Sequence, residues 1–339
     1  MEYIWAFFKY FNAWLLMGFV LAAAVAAEKI YIIFTVIISR KTLREVGVPL
    51  IKNVRGVFRL EVGLPESASV NIALYGPALA FAALMTVCAS IPFSTFIPII
   101  DNGADVIQIL QFMLLSEVLA LISLYALGTK QAENAARIEM GKVIRLAVPV
   151  AACFASIAAF LIKNGLDSDP FSLNSFSIAG QLTAMSRWGV CGTALFIFTI
   201  LSQIPHRDFM TGCALLKQGE IPEYTGAPRG ILQVWAVFRS FIIVALVTYM
   251  FFPSNFIATI NNAVGISWRS QALNFIIFWF SVVIMRTVAV PVCWLLLDLL
   301  KARLPKPLRE TFLVTAFTAC AMLLLYYECI LLSQEAAAF

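Results

Sequence analysis

Residues 106–128 read VIQILQFMLLSEVLALISLYALG. The run is longer than the roughly 20 apolar residues a helix needs to cross a hydrocarbon core about 30 Å thick. It holds one charge, Glu117. The apolar residues are continuous, whereas a membrane-barrel strand alternates over about ten residues. The stretch therefore reads as a membrane-spanning helix. Seven more runs of the same kind lie near 11–38, 70–98, 143–163, 180–203, 230–252, 271–299 and 311–332. The expectation is an all-α integral membrane protein, about eight transmembrane helices in a single domain over 1–339.

Composition agrees. Of 339 residues, 61% are hydrophobic and 13% charged, against about 25% charged in a soluble domain. The mean hydropathy is +0.90. This excludes a soluble globular enzyme, a disordered chain and a nucleic-acid binder, and leaves little room for a separate soluble domain. Cys88, Cys153, Cys191, Cys213, Cys293, Cys320 and Cys329 sit mostly inside apolar runs, and no pair is spaced CxxC. They read as small packing residues rather than metal, cluster or disulfide positions. The start, MEYIWAFFKYFNAWLL, lacks a basic n-region and a small-residue cleavage site, so it reads as a retained first helix.

The connections alternate in charge. The first, 39–69, holds Arg40, Lys41, Arg44, Lys52, Arg55 and Arg59; the second, 99–105, holds Asp101 and Asp105 and no base. The third, 129–142, has Lys130, Arg137 and Lys142 beside two Glu; the fourth, 164–179, has Asp167 and Asp169. The fifth carries Arg207, Lys217 and Arg229, the sixth only Arg269, and the seventh Lys301, Arg303, Lys306 and Arg309. Basic loops stay in the cytoplasm. Odd loops are thus expected inside and both termini outside.

Two cytoplasmic connections exceed what a turn needs. Segment 49–61, PLIKNVRGVFRLE, sets Leu50, Ile51, Val54, Val57, Phe58 and Leu60 among Lys52, Arg55 and Arg59. Such a basic amphipathic helix suits the membrane interface, or equally a docking face for a cytoplasmic partner. Segment 204–229 is polar and rich in Gly and Pro, and long loops often carry function. The two are expected to form one docking surface.

GEIPEYTGAPRGILQVW, residues 219–235, resembles the EYSG segment of the membrane subunit that joins the two arms of respiratory complex I. The same segment occurs in the relatives within group 4 NiFe hydrogenases and formate hydrogenlyases. A second stretch, PLIKNVRGVFRLEVGLPESASVNIALYGPALAFAAL (49–84), is similar to the hydrogenase-type amphipathic helix, Glu-x-Ala-Ser turn and second-span opening. The end of span one, Ala26-Ala27-Glu28-Lys29, and the ARLP of the last cytoplasmic loop fit too. Collinearity covers roughly 25–310, and order and spacing carry more weight than any single motif.

The resemblance implies a non-catalytic membrane anchor, with ion coupling as a further role, in a prokaryotic cytoplasmic membrane. It implies no redox centre, catalytic residue or metal on this chain. Its partners would be peripheral iron–sulfur and hydrogenase-like subunits, the latter carrying NiFe, and an antiporter-like membrane subunit. Quinone binding belongs to the complex I branch. The chain also departs from the family. Ala147 and Val148 precede Pro149 where a Glu is usual, Gln233 replaces another Glu, and 287–297 contain no carboxylate. Few groups are left to pass protons.

Individual residues have competing readings. Glu28 is either an interfacial charge or part of a polar entrance under the catalytic arm. Glu117 and Arg286 each lie alone in mid-span, where an unpaired charge costs several kcal/mol. They are expected to face the bundle interior as a static pair in contact or through water, the alternative being a polar relay. Arg145 lies just inside span four and can snorkel. His206, the single histidine, reads as structural. Arg55, Arg59, Glu61, Glu220 and Glu223 are candidate docking charges. Tyr224 and Gly226 would form the turn, Gly tolerating φ above zero. Two alternatives stay open: a quinone-site subunit of a complex-I-like enzyme, and a stand-alone transporter with Glu117 and Arg286 as its site.

Overall fold

The computed structural model describes residues 57–91, 105–164, 171–204, 224–252, 268–302 and 309–337. These residues are helical apart from short turns, and the one β-feature among them is the isolated bridge Asp105–Ser172. The helices are α1 (Val70–Ser90), α2 (Val106–Tyr125), α3 (Lys130–Asn164), α4 (Leu173–Met185) and α5 (Gly189–Gln203). They continue as α6 (Ala227–Phe251), α7 (Trp268–Ile284), a π-helical turn (Met285–Ala289), α8 (Val290–Ala302) and α9 (Arg309–Ala337). Among the described residues, six helices are long and apolar enough to cross a membrane, or seven when the bent pair α4–α5 counts as one. The expected first span and residues 49–56 of the amphipathic segment lie outside the described residues.

Helix α6 is the axle of the bundle. Every residue from Val237 to Phe251 is buried, the pattern of a helix that is apolar all round and wrapped by neighbours. It packs on α1, α4 and α7, while α9 packs on α5 and α3. Helices α1 and α2 approach closely where Ser116 Oγ donates to the carbonyl of Ala80 at 2.7 Å. In lipid, where apolar surface drives little association, small residues and such hydrogen bonds hold helices together.

The ends of the helices sort onto two faces. On one, Ser69 N–H donates to Ala126 O (2.7 Å) and Thr225 N–H to Gly63 O (3.2 Å). This joins the first, third and fifth connections. On the other, Val106 N–H donates to Phe171 O and Ser177 Oγ to Tyr249 O. Among the described residues, the ends of the first, third and fifth connections thus lie on one face and those of the second, fourth and sixth on the other.

Three boundaries differ from the sequence reading. Residues 130–142, read as loop, are the first turns of α3, a helix of 35 residues. Thr129 caps it, its Oγ1 accepting from Ala132 N–H at 3.2 Å, as Thr does at N-caps. The charges of this stretch mask strong helix formers. The span expected at 180–203 is broken, α4 and α5 meeting at a bend of 117°. The freed N–H of Trp188 donates to Glu328 Oε2 of α9 at 3.2 Å. The seventh span holds a π turn, Met285–Ala289, which shifts the helical phase around Arg286.

Candidate functional site

The basic face carries a seam. Thr225 N–H donates to Gly63 O, Gly63 N–H donates to Thr225 Oγ1 at 3.1 Å, and Thr225 Oγ1 donates to Glu61 O at 2.8 Å. The chain then enters α6 through Gly226, whose φ is +82°. A side chain there would also meet Val62 Cα at 2.9 Å and Glu61 O at 3.0 Å. Pro228 sits in the first turn, where a proline suits a helix start. Tyr224 is fully buried and its hydroxyl donates to Ala73 O at 3.3 Å. Burial pushes its phenol well above the usual range, against the opposing charge of Arg229. Arg59 and Glu61 are exposed on the same face, beside exposed Phe58, Leu60 and Val62. The described ends of the two long connections therefore meet. Glu28, Arg55, Glu220 and Glu223 lie outside the described residues.

Below the seam lies a buried charge cluster. The Arg239 guanidinium of α6 contacts Glu117 Oε1 of α2. Its Nη1 is 3.9 Å from Glu139 Oε2 of α3, and Glu139 Oε1 pairs with Lys142 at 3.1 Å. Glu117 is 9% exposed, and Glu139 and Arg239 are each 5% exposed. The two acids and two bases balance, the condition under which charges persist at membrane depth. Trp235 lies under Arg239, with the guanidinium carbon 5.4 Å from its ring, a cation–π contact. The indole N–H donates to Ser116 Oγ at 2.8 Å, which itself donates to Ala80 O. One chain of polar contacts thus runs through α1, α2, α6 and α3. Counted from the basic-face helix ends, its charges sit about 12 to 18 Å deep at 1.5 Å per residue.

This corrects the sequence pairing. Glu117 turns inward as expected, but its ion partner is Arg239, not Arg286. Arg286 is also inward, 1% exposed, on the π turn, which packs on α6. Arg145 turns its Nε back to Gly141 O at 3.0 Å. Sequence reasoning passed over Arg239, although AVFRSF is a lone charge in an apolar run like that around Glu117. Glu139 was hidden by the assignment of 130–142 to a loop. Glu328, 5% exposed, was another lone mid-run charge. Among the described residues no three His, Cys, Asp or Glu converge as a metal site.

Fold and site together define a polytopic helical membrane protein with a buried ion-pair cluster beneath a seam between the first and fifth connections. No protein-family model matches the sequence, and no curated protein does. Among solved structures, the fold is similar to that of a chain in the membrane-bound sulfane sulfur reductase, an archaeal respiratory membrane complex. The TM-score is 0.62 at 14% identity, covering 95% of this chain and 99% of that one. At that identity the likeness is one of fold.

Proposed function

We propose that this chain is the non-catalytic membrane anchor of a complex-I-like respiratory complex, joining a peripheral iron–sulfur arm to the membrane arm and taking part in ion coupling. The observation that carries the reading is the likeness of fold over nearly the whole length of both chains to a subunit-sized chain of an archaeal respiratory membrane complex. The seam supports the anchor role. It presents Phe58, Arg59, Leu60, Glu61 and Val62, all exposed, on one face, apolar and charged groups side by side. The cluster of Glu117, Arg239 and Glu139 supports the coupling role, because it puts carboxylates from two helices within reach of one guanidinium on a third. Electron transfer itself belongs to partner subunits. Whether these are of hydrogenase, formate hydrogenlyase or sulfur-reducing type is decided by those partners and not by this chain.

Affinity purification of the tagged chain from its own membranes tests the anchor. Stoichiometric iron–sulfur subunits and an antiporter-like membrane subunit are expected to copurify. Recovery of the chain alone, still folded, refutes the reading in favour of a stand-alone transporter. Replacing Arg59 and Glu223 by Ala should release the peripheral arm while the chain still inserts, since truncating one side of a desolvated charge pair costs about 2–5 kcal/mol.

A further inference from the structure

We propose that residues 61–69 form a strap that fixes the position of Arg239 relative to Glu117 and Glu139, with Thr225 as its positioning residue. The inference rests on the ion-coupling part of the function proposed above. At one end the strap is tied to the start of α6 by three hydrogen bonds, all through Thr225: its N–H to Gly63 O, Gly63 N–H to its Oγ1, and its Oγ1 to Glu61 O. At the other end it is tied to the turn between α2 and α3. Ser69 N–H donates to Ala126 O, and Ser67 Oγ donates to Leu127 O at 3.1 Å. Gly128, with φ +65°, lets the backbone pass so close that a Cβ would lie 2.6 Å from Ser67 O.

The two anchor points are the roots of the helices that carry the cluster. Arg239 lies on α6, whose root Thr225 holds. Glu117 and Glu139 lie on α2 and α3, on either side of the turn that Ser67 and Ser69 hold. Each charge is about 12 to 20 Å from its root along a helix whose rise per residue is fixed. Packed helices of this kind carry displacements between sites. Arg239 stands between two carboxylates at unequal distances, and Coulomb attraction varies inversely with separation. A movement of the strap by an ångström or so therefore changes which carboxylate the guanidinium favours. The outer side of the strap lies at the exposed face of Phe58 to Val62, where the peripheral arm is proposed to dock.

The test uses the intact complex in inverted membrane vesicles. A reduced viologen dye serves as electron donor, and ion uptake is followed with a membrane-potential dye and a sodium electrode. Thr225→Val removes the hydroxyl at constant shape, and Thr225→Ser restores it. Ser67→Ala removes the side-chain bond at the other end and leaves Ser69 N–H on Ala126 O. The Thr225→Val and Ser67→Ala complexes should assemble and transfer electrons at the wild-type rate, with the ions moved per electron falling by more than half. Thr225→Ser should restore the ratio, and the double variant should be no worse than Thr225→Val alone, because both cut the same strap. A Thr225→Val complex that couples fully overturns the proposal. So does one that loses electron transfer and coupling together without rescue by Ser. Glu117→Gln separates the two ideas. If it uncouples while Thr225→Val does not, the strap alone fails. If it leaves coupling intact, or if the wild-type complex moves no ions, the coupling role and the strap fail together.

Discussion

Removing Glu117 alone and removing it together with Arg239 should have opposite consequences. In Glu117→Leu, Arg239 loses its nearest carboxylate; Glu139 lies 3.9 Å away and is already engaged by Lys142 at 3.1 Å. Breaking a buried pair by deleting one partner costs about 3–5 kcal/mol, whereas replacing both by apolar residues is often neutral or better. The double variant Glu117→Leu with Arg239→Leu leaves Glu139 and Lys142 to balance each other, so it should recover most of the loss. Interhelical hydrogen bonds in membranes average only about 0.6 kcal/mol. A single-variant loss above about 2 kcal/mol would therefore identify the charges, not a mere hydrogen bond, as its source. At about 2 °C per kcal/mol, the single variant should melt roughly 6 to 10 °C below the parent and the double variant within a few degrees of it. The assay is thermal unfolding of the purified complex in detergent, over the full double-mutant cycle. A double variant as unstable as the sum of the two singles would refute the pairing.

Other expectations follow from particular contacts. Reporter fusions at residues 102 and 168 should lie outside and those at 50 and 215 inside; a cytoplasmic signal at 102 or 168 would overturn the assignment of faces. Glu328→Leu should destabilise the chain by about 1–3 kcal/mol, because it strands the Trp188 N–H at the break between α4 and α5. Glu328→Gln, which keeps an acceptor, should restore most of that in thermal melts. Tyr224 holds its proton above the ordinary range, so the unfolded chain releases that proton first, near pH 10. Stability should be level below pH 10 and fall above it. In Tyr224→Phe that alkaline fall should shrink, as read from melting temperatures between pH 8 and 11.

The helices were legible because hydropathy is summed over about 20 residues and tolerates an error of a few positions. The charge signs of the connections, Arg269 in the sixth excepted, give an expected sidedness that the reporter fusions test. Pairing was not legible. Glu117 announced itself as a mid-span charge, but a single sequence does not say which of several cations on other helices faces it. The π turn that alters the phase of Arg286 leaves no mark in composition. Residues 130–142 show the opposite failure: Lys, Gln, Ala, Glu and Arg suit a helix as well as a loop, and their polarity decided wrongly. The turn at Gly226 was readable from chemistry, since glycine tolerates the positive φ it adopts.

The partners of the buried cluster are made at different times. Glu117 leaves the ribosome roughly 120 residues before Arg239, which at about 5–20 residues per second is an interval of about 6 to 25 s. Glu139 also precedes it. During that interval α2 must reside in the bilayer without its cation. A mid-helix charge opposes insertion by about 2.5 to 3.5 kcal/mol, and each Leu, Ile, Val or Phe favours it by about 0.3 to 0.6. Helix α2 holds twelve such residues, enough to carry Glu117 into the membrane unaided. When α6 later enters, Arg239 meets two acids already waiting at its depth. The order of synthesis thus sets the acids in place first and lets the last-arriving cation lock the central helix between them.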